Sequence, residues 1–248
     1  MTFDYTTVLV ALAVFFAGYV KGATGMGFPL IATPMLTLIL DVRLAIVVQL
    51  LPGVLMDLGQ VFRNGLPTAI IRRFAPMFFF AVAGVFLGTW KLATLPLWQL
   101  NLILGTLVTF FAILGWCRFT LTSSSRAESI LSPVVGFVGG FLLGVSNSMG
   151  PPVAVYLHSL KLDKTEFVKA IGTVFIMTKF WQIVAIATWN LFSFAAFKMS
   201  LFVTSFVLVS FYLGLKTHDR VDQATFNRLI LVLLSVIGVS LIYRALYA

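Results

Sequence analysis

The chain has 248 residues, 60% of them hydrophobic and 10% charged, with mean hydropathy +1.05 and 17 Lys and Arg against 8 Asp and Glu. A soluble domain carries about 25% charged residues, so this chain lacks the polar groups to cover a water-facing surface, and a soluble globular protein is excluded. The net charge of +9 sits on cations scattered between apolar blocks rather than in a basic run. That excludes a nucleic-acid-binding patch and reads as the orientation signals of an all-α polytopic membrane protein.

Hydropathy divides the chain into ten apolar blocks, at residues 7–20, 28–40, 44–62, 74–90, 97–117, 130–145, 151–160, 167–189, 194–215 and 229–243. Each is expected to be helical, because a helix satisfies its own backbone groups in lipid. Ten full spans of about 20 residues would consume about 200 residues, so about eight to ten membrane segments fit only if some are short. Blocks one, two, six and seven are the short ones, and they form two adjacent pairs. A glycine-rich turn, Gly22 to Gly27, joins the first pair, and a polar turn, Ser146 to Gly150, joins the second. Met1 to Tyr5 lacks the positive region of a secretory signal and is expected to stay attached. Pro52 and Pro76 are expected to kink their helices, the lone Cys117 to be an inert apolar filler, and His158 and His218 to be interfacial.

Each short pair either crosses once as an interrupted helix or returns to its starting side, and the cations discriminate. In the returning case one side holds Lys21, Arg63, Arg72, Arg73, Arg118, Arg126, Lys161, Lys164, Lys169, Lys216, Arg220 and Arg228, against Arg43, Lys91, Lys198 and Arg244 on the other. In the single-crossing case the split is nearly even. The positive-inside rule therefore favours re-entrant pairs, with both termini on the non-cytoplasmic side.

Shifting the sequence by 122 positions places Gly18 on Gly140, Gly22 on Gly144, Pro29 on Pro151, Asp41 on Asp163 and Gln60 on Gln182, and puts Asp57 opposite Lys179. These are scarce residue types, so the offset is read as a duplication. The expected domains are a first transmembrane repeat at 1–120 and a second at 128–248, together one membrane domain. Each has a short broken or re-entrant pair plus three spanning helices. An odd number of crossings per repeat inverts the second copy, the arrangement of many secondary transporters, with a site where broken helices meet near the midplane.

The chemistry of both turns suits a small anion. Glycines permit close backbone approach, and Pro29 and Pro151 fit a first helical turn, so each turn delivers a helix amino end with its partial positive charge. Gly22, Thr24, Gly25, Gly27 and Pro29 are the candidate ligand-lining residues of the first turn; Ser146, Asn147, Ser148, Gly150 and Pro151 are those of the second. The competing reading is close helix packing by small residues. Asp57 with Gln60, and Lys179 with Gln182, lie three apart on one face of their helices. Charges at membrane depth need a partner or an aqueous cavity. Asp57 and Lys179 are therefore expected either as a structural ion pair or snorkelling residues, or as a working pair, with Lys179 attracting the anion and Asp57 tuning it or taking a coupling proton; Lys179, Gln60 and Gln182 join the candidate substrate-binding residues. No metal, Walker or nucleophile motif occurs, so no cofactor, metal site or catalytic residue is expected, and the chain is not read as an enzyme.

Several motifs resemble a known family: Gly18, Gly22, Gly25, Gly27, Pro29, Ile31 and Pro34 in the first half; Arg43-Leu44-Ala45; and Gly136, Gly139, Gly140 and Gly144 leading to Met149-Gly150-Pro151-Pro152. The chain resembles the sulfite exporter TauE/SafE family over nearly its whole length. The resemblance implies a multi-pass inner-membrane transporter of sulfite or organosulfonates, with both turns around the substrate path. Ser146-Asn147-Ser148-Met149 departs from the glycine run of many members. The reading is a secondary transporter exporting a small sulfur-containing anion by alternating access; the alternative is an anion channel on the same scaffold. The implied partners are the anion, coupled protons and the bilayer, with no nucleic acid and with a homo-oligomer compatible.

Overall fold

The computed structural model describes residues 5–25, 27–63, 68–117, 125–162, 164–217 and 223–247. These form twelve helices and, among the described residues, no strand: α1 (Tyr5–Thr24), α2 (Phe28–Thr37), α3 (Val42–Val48), α4 (Leu50–Arg63), α5 (Thr68–Arg73), α6 (Ala75–Thr94), α7 (Leu97–Trp116), α8 (Ser125–Ser146), α9 (Gly150–Ser159), α10 (Lys164–Thr188), α11 (Phe194–Thr217) and α12 (Gln223–Tyr247). Seven stretches are long and apolar enough to cross a bilayer: α1, Val42–Gly59, α6, α7, Glu166–Thr188 of α10, α11 and Arg228–Tyr247 of α12. The protein is thus an all-α polytopic membrane protein.

Three boundaries differ from the hydropathy reading, each for a physical reason. The first member of the first pair is not short: α1 has 20 residues, because Gly22 continues the helix rather than ending it. α8 has 22 residues, but it starts at Ser125, ahead of the apolar block, and its apolar stretch Ile130–Ser146 stays short. The second members, α2 and α9, have 10 residues each; at 1.5 Å per residue each covers about 15 Å, half the apolar thickness of a bilayer. The block at 44–62 breaks at Gln49, between α3 and α4. Pro52 lies three residues further on, and its ring clashes with the carbonyl four residues back, at Val48. That carbonyl accepts instead from Ser200 Oγ at 2.8 Å. Pro76 kinks nothing: it is the second residue of α6, where its missing N–H costs little.

The chain forms two compact units that interleave the sequence. One contains residues 1–52, 95–119 and 193–248, and the other residues 53–94 and 120–192. Each takes helices from both sequence halves. In the first, α1 packs on α11 and α7 on α12, while α2 contacts α1, α3, α7 and α12. In the second, α6 packs on α8, and α10 packs on α6, α8 and α9.

Glycines set these contacts. Lipid tails are as apolar as leucine, so helices associate in a bilayer by close packing rather than by hydrophobic gain, and small residues let backbones meet. On the α6–α8 seam, a Cβ added at Gly136, Gly140 or Gly144 would overlap the carbonyl oxygens of Met77, Ala81 and Val85 in turn, so the two helices run parallel. Along α1 and α11, Gly18 faces Val207 and Ser210, and Gly22 faces Phe211 and Gly214, again parallel. α7 and α12 run antiparallel: Gly105 meets Gly238 and Ile242, whereas Gly115 meets Leu231. Exposed groups do the tying at the ends. Arg73 makes a two-pronged bond to Glu128 at 2.9 and 3.2 Å, and Arg244 donates to the carbonyls of Thr37 and Leu38 that end α2.

Candidate functional site

α1 and α8 end the same way. Gly25 is left-handed, with φ 82°, and donates its N–H to Lys21 O at 2.8 Å; Asn147 is left-handed, with φ 59°, and donates to Leu143 O at 2.9 Å. Both bonds are i to i−4 closures at a left-handed helix cap, a position taken usually by glycine and sometimes by asparagine; after α8, Ser148 N–H adds a bond to Leu142 O at 3.4 Å. The hydroxyl just before each cap turns back on its own helix, Thr24 Oγ1 to Val20 O at 2.9 Å and Ser146 Oγ to Leu142 O at 2.8 Å.

Side-chain chemistry separates the two turns. In the first, Gly25 and Gly27, the latter with φ 96°, leave open space where a Cβ would project, and the turn is half-buried. Pro29 is the second residue of α2. Gly22 is not in the turn at all: it packs against Gly214, and its role is the helix seam. In the second turn Ser146, Asn147, Ser148 and Met149 are all buried. Ser148 Oγ donates to Ser146 O at 3.2 Å, so both serine protons are spent on backbone. Asn147 Nδ2 has no partner, although Asn147 is only 1% exposed.

α10 supplies the wall opposite this turn. Gln182, fully buried, donates through Nε2 to Leu143 O at 2.9 Å and to Asn147 Oδ1 at 3.3 Å, while its Oε1 has no partner. Thr178, one turn earlier, lies with Oγ1 3.4 Å from Met149 Sδ. Gly150 and Pro151 open α9 beside Phe175, and because Pro151 and Pro152 carry no N–H, the first turn of α9 is poor in backbone donors. Asn147, three residues before α9, keeps its side-chain NH2 without a partner.

The embedded charges meet each other. Lys179 Nζ lies 2.7 Å from Asp57 Oδ2, with the two side chains 2% and 0% exposed. Separation from water makes either charge alone costly, so each neutralises the other. Sequence reasoning missed how the pair is housed. A Cβ on Gly53 would lie 2.5 Å from Lys179 Nζ, so the glycine one turn before Asp57 forms the slot for the ammonium. The i to i+4 spacing from Gly53 to Asp57 was the available signal. It also missed a bond between Thr33 and Gln49, with Gln49 Nε2 donating to Thr33 Oγ1 at 3.2 Å and to Ala45 O at 2.7 Å. The equivalents at +122 are Val155 and Ile171, so the offset carried no hint of it. The Gln60 side chain lies outside the described ones. Among the described residues, no cluster of His, Cys, Asp or Glu is placed to hold a metal ion.

A family model, Sulfite exporter TauE/SafE, matches residues 10–241. The chain belongs to the sulfite exporter TauE/SafE family. No curated protein and no solved structure gives a match. TauE/SafE membership makes the protein a membrane transporter of sulfite or related anions rather than an enzyme. In this TauE/SafE protein both turns, the α6–α8 seam and the Asp57–Lys179 pair fall within the matched span.

Proposed function

We propose that the protein is a secondary transporter that exports a small sulfur-containing anion across the inner membrane by alternating access, and that the turn from Ser146 to Gly150 holds the anion. The observation that carries this reading is the unpartnered Asn147 amide. It is a buried donor beside the amino end of α9, in a chain whose buried polar atoms are mostly bonded. Burying such a group unbonded costs about 1–3 kcal/mol, a cost that an anionic ligand removes when it binds.

Alternating access rests on an inverted repeat of 1–120 and 128–248, and three observations support it. The two left-handed caps and the two hydroxyl back-bonds sit 122 residues apart, residue for residue. Helices α2 and α9 have the same length at the same offset. Helices α7 and α12, which correspond at that offset, pack antiparallel, as copies of opposite orientation would. In this scheme both termini are non-cytoplasmic. Asp57, paired with Lys179, is the site where a coupling proton would be taken up, because protonation breaks the ion pair and frees the ammonium.

Reconstitution into proteoliposomes tests the proposal. An imposed proton gradient should drive uphill sulfite movement, and Asp57→Asn should abolish the response to the gradient. Sulfite-dependent current that only runs down its own gradient would identify a channel instead.

A further inference from the structure

We infer that the ligand of the second turn carries a single negative group together with a hydrogen-bond donor, such as hydrogensulfite or an amino sulfonate, rather than being a fully deprotonated dianion. The inference rests on the transport reading above and narrows its substrate.

The orientation of the two buried amides decides the point. Gln182 approaches Leu143 O at 2.9 Å, so the atom there is the NH2 nitrogen; the flipped amide would set Oε1 against a carbonyl oxygen, lone pair to lone pair. With Nε2 fixed, the Asn147 atom 3.3 Å away is its oxygen, because two NH2 groups cannot bond to each other. Two atoms are then left without partners, Asn147 Nδ2, a donor, and Gln182 Oε1, an acceptor. They belong to amides already joined by a hydrogen bond, and the inference places one small ligand against both.

A dianion such as sulfate or fully deprotonated sulfite only accepts. It would satisfy Asn147 and place a negative oxygen against Gln182 Oε1, a buried acceptor left facing an acceptor. A monoanion with one O–H or N–H donates to Gln182 Oε1 and accepts from Asn147 Nδ2, leaving neither amide unpaired. Charge agrees with this assignment. While its pair with Asp57 is intact, Lys179, one turn from Gln182 on α10, is already neutralised and does not offset a second negative charge.

The experiment is a titration of the purified full-length protein with sulfite on the acid and alkaline sides of its second ionisation, beside methanesulfonate, aminomethanesulfonate and sulfate. Methanesulfonate is a monoanion at every pH used. It therefore corrects for titration of the protein's own groups, the Asp57–Lys179 pair, Glu166 on α10, His158 on α9, Glu128 on α8 and Lys91 on α6. Apparent affinity for total sulfite should fall about tenfold for each pH unit above that ionisation. On the acid side methanesulfonate and sulfate should bind at least about tenfold more weakly than sulfite. Gln182→Leu should bring methanesulfonate and hydrogensulfite to within about twofold of each other by removing the acceptor. Tight binding of aminomethanesulfonate supports the inference with an N–H as the donor; preference for acid sulfite over it supports a hydroxyl. Sulfate or methanesulfonate bound as tightly as acid sulfite, or a sulfite affinity independent of pH, would overturn the inference and leave the transport reading standing. Affinities unchanged by both Asn147→Gly and Gln182→Leu would overturn it too, as a site filled by water. Binding of no sulfur anion at any pH would remove the transport reading along with it.

Discussion

The turn after α1 and the turn after α8 close their helices with the same backbone bond and the same hydroxyl back-bond, yet they present different chemistry. Gly25 reaches the left-handed region because it has no Cβ, and it leaves open space. Asn147 reaches the same region because its short amide tolerates it, and it brings a buried amide whose oxygen accepts from Gln182 and whose NH2 has no partner. The shared backbone therefore sets where a helix stops, and a single residue at the cap sets which polar groups the stop presents.

Asp57 and Lys179 extend the comparison to charge, since the +122 offset gives one acid to the first half and one base to the second. Removing one partner strands the other in a buried site. Asp57→Ala should therefore lower stability by about 3–5 kcal/mol in a detergent melt, while the double substitution Asp57→Leu with Lys179→Met recovers most of it. A single mutant as stable as the parent would show that neither charge is buried.

The seams contrast in the same way. Gly18 and Gly140 are equivalent, but an added methyl meets the movable Ser210 hydroxyl at Gly18 and the fixed Ala81 carbonyl at Gly140. Gly140→Ala should cost about 1–3 kcal/mol and Gly18→Ala clearly less, read as the difference between their melting temperatures. Equal losses would contradict the parallel α6–α8 contact. The smallest effect is expected at Gly25→Asn, which copies the second turn into the first. With no atom within 4 Å of the new Cβ and a residue that tolerates positive φ, the change should stay within about 1 kcal/mol, with sulfite transport near the parent level. A large gain or loss of transport would move the site toward the first turn.

Much of this was legible in the sequence. Composition alone placed the chain in a membrane, and the 122-residue offset brought Asp57 and Lys179 to equivalent positions before any contact was known. Hydropathy failed where one residue type has two uses. Gly22 and Gly25 look alike in sequence, but the first packs against Gly214 and the second ends α1, and only the partner helix distinguishes them. Pro52 and Pro76 look alike too; one follows a helix that its ring interrupts, and the other begins a helix that needs no N–H there. The candidate site showed the same limit. Thr24, Ser146 and Ser148 were donors by type, but their protons bond to nearby carbonyls, whereas Asn147, named beside them, keeps its NH2 without a partner. That distinction depends on the Gln182 contact from α10, 35 residues away.

The central claim, that the second turn holds the anion through Asn147, is tested most directly by Asn147→Gly. Glycine takes a positive φ without strain, so the α8 cap survives and the melting temperature should shift little, while the amide is lost. Sulfite efflux from proteoliposomes should fall at least about tenfold with folding intact, the loss expected when a site gives up one buried hydrogen bond to a charged ligand. Efflux at the parent rate in a well-folded Asn147→Gly protein would contradict the account.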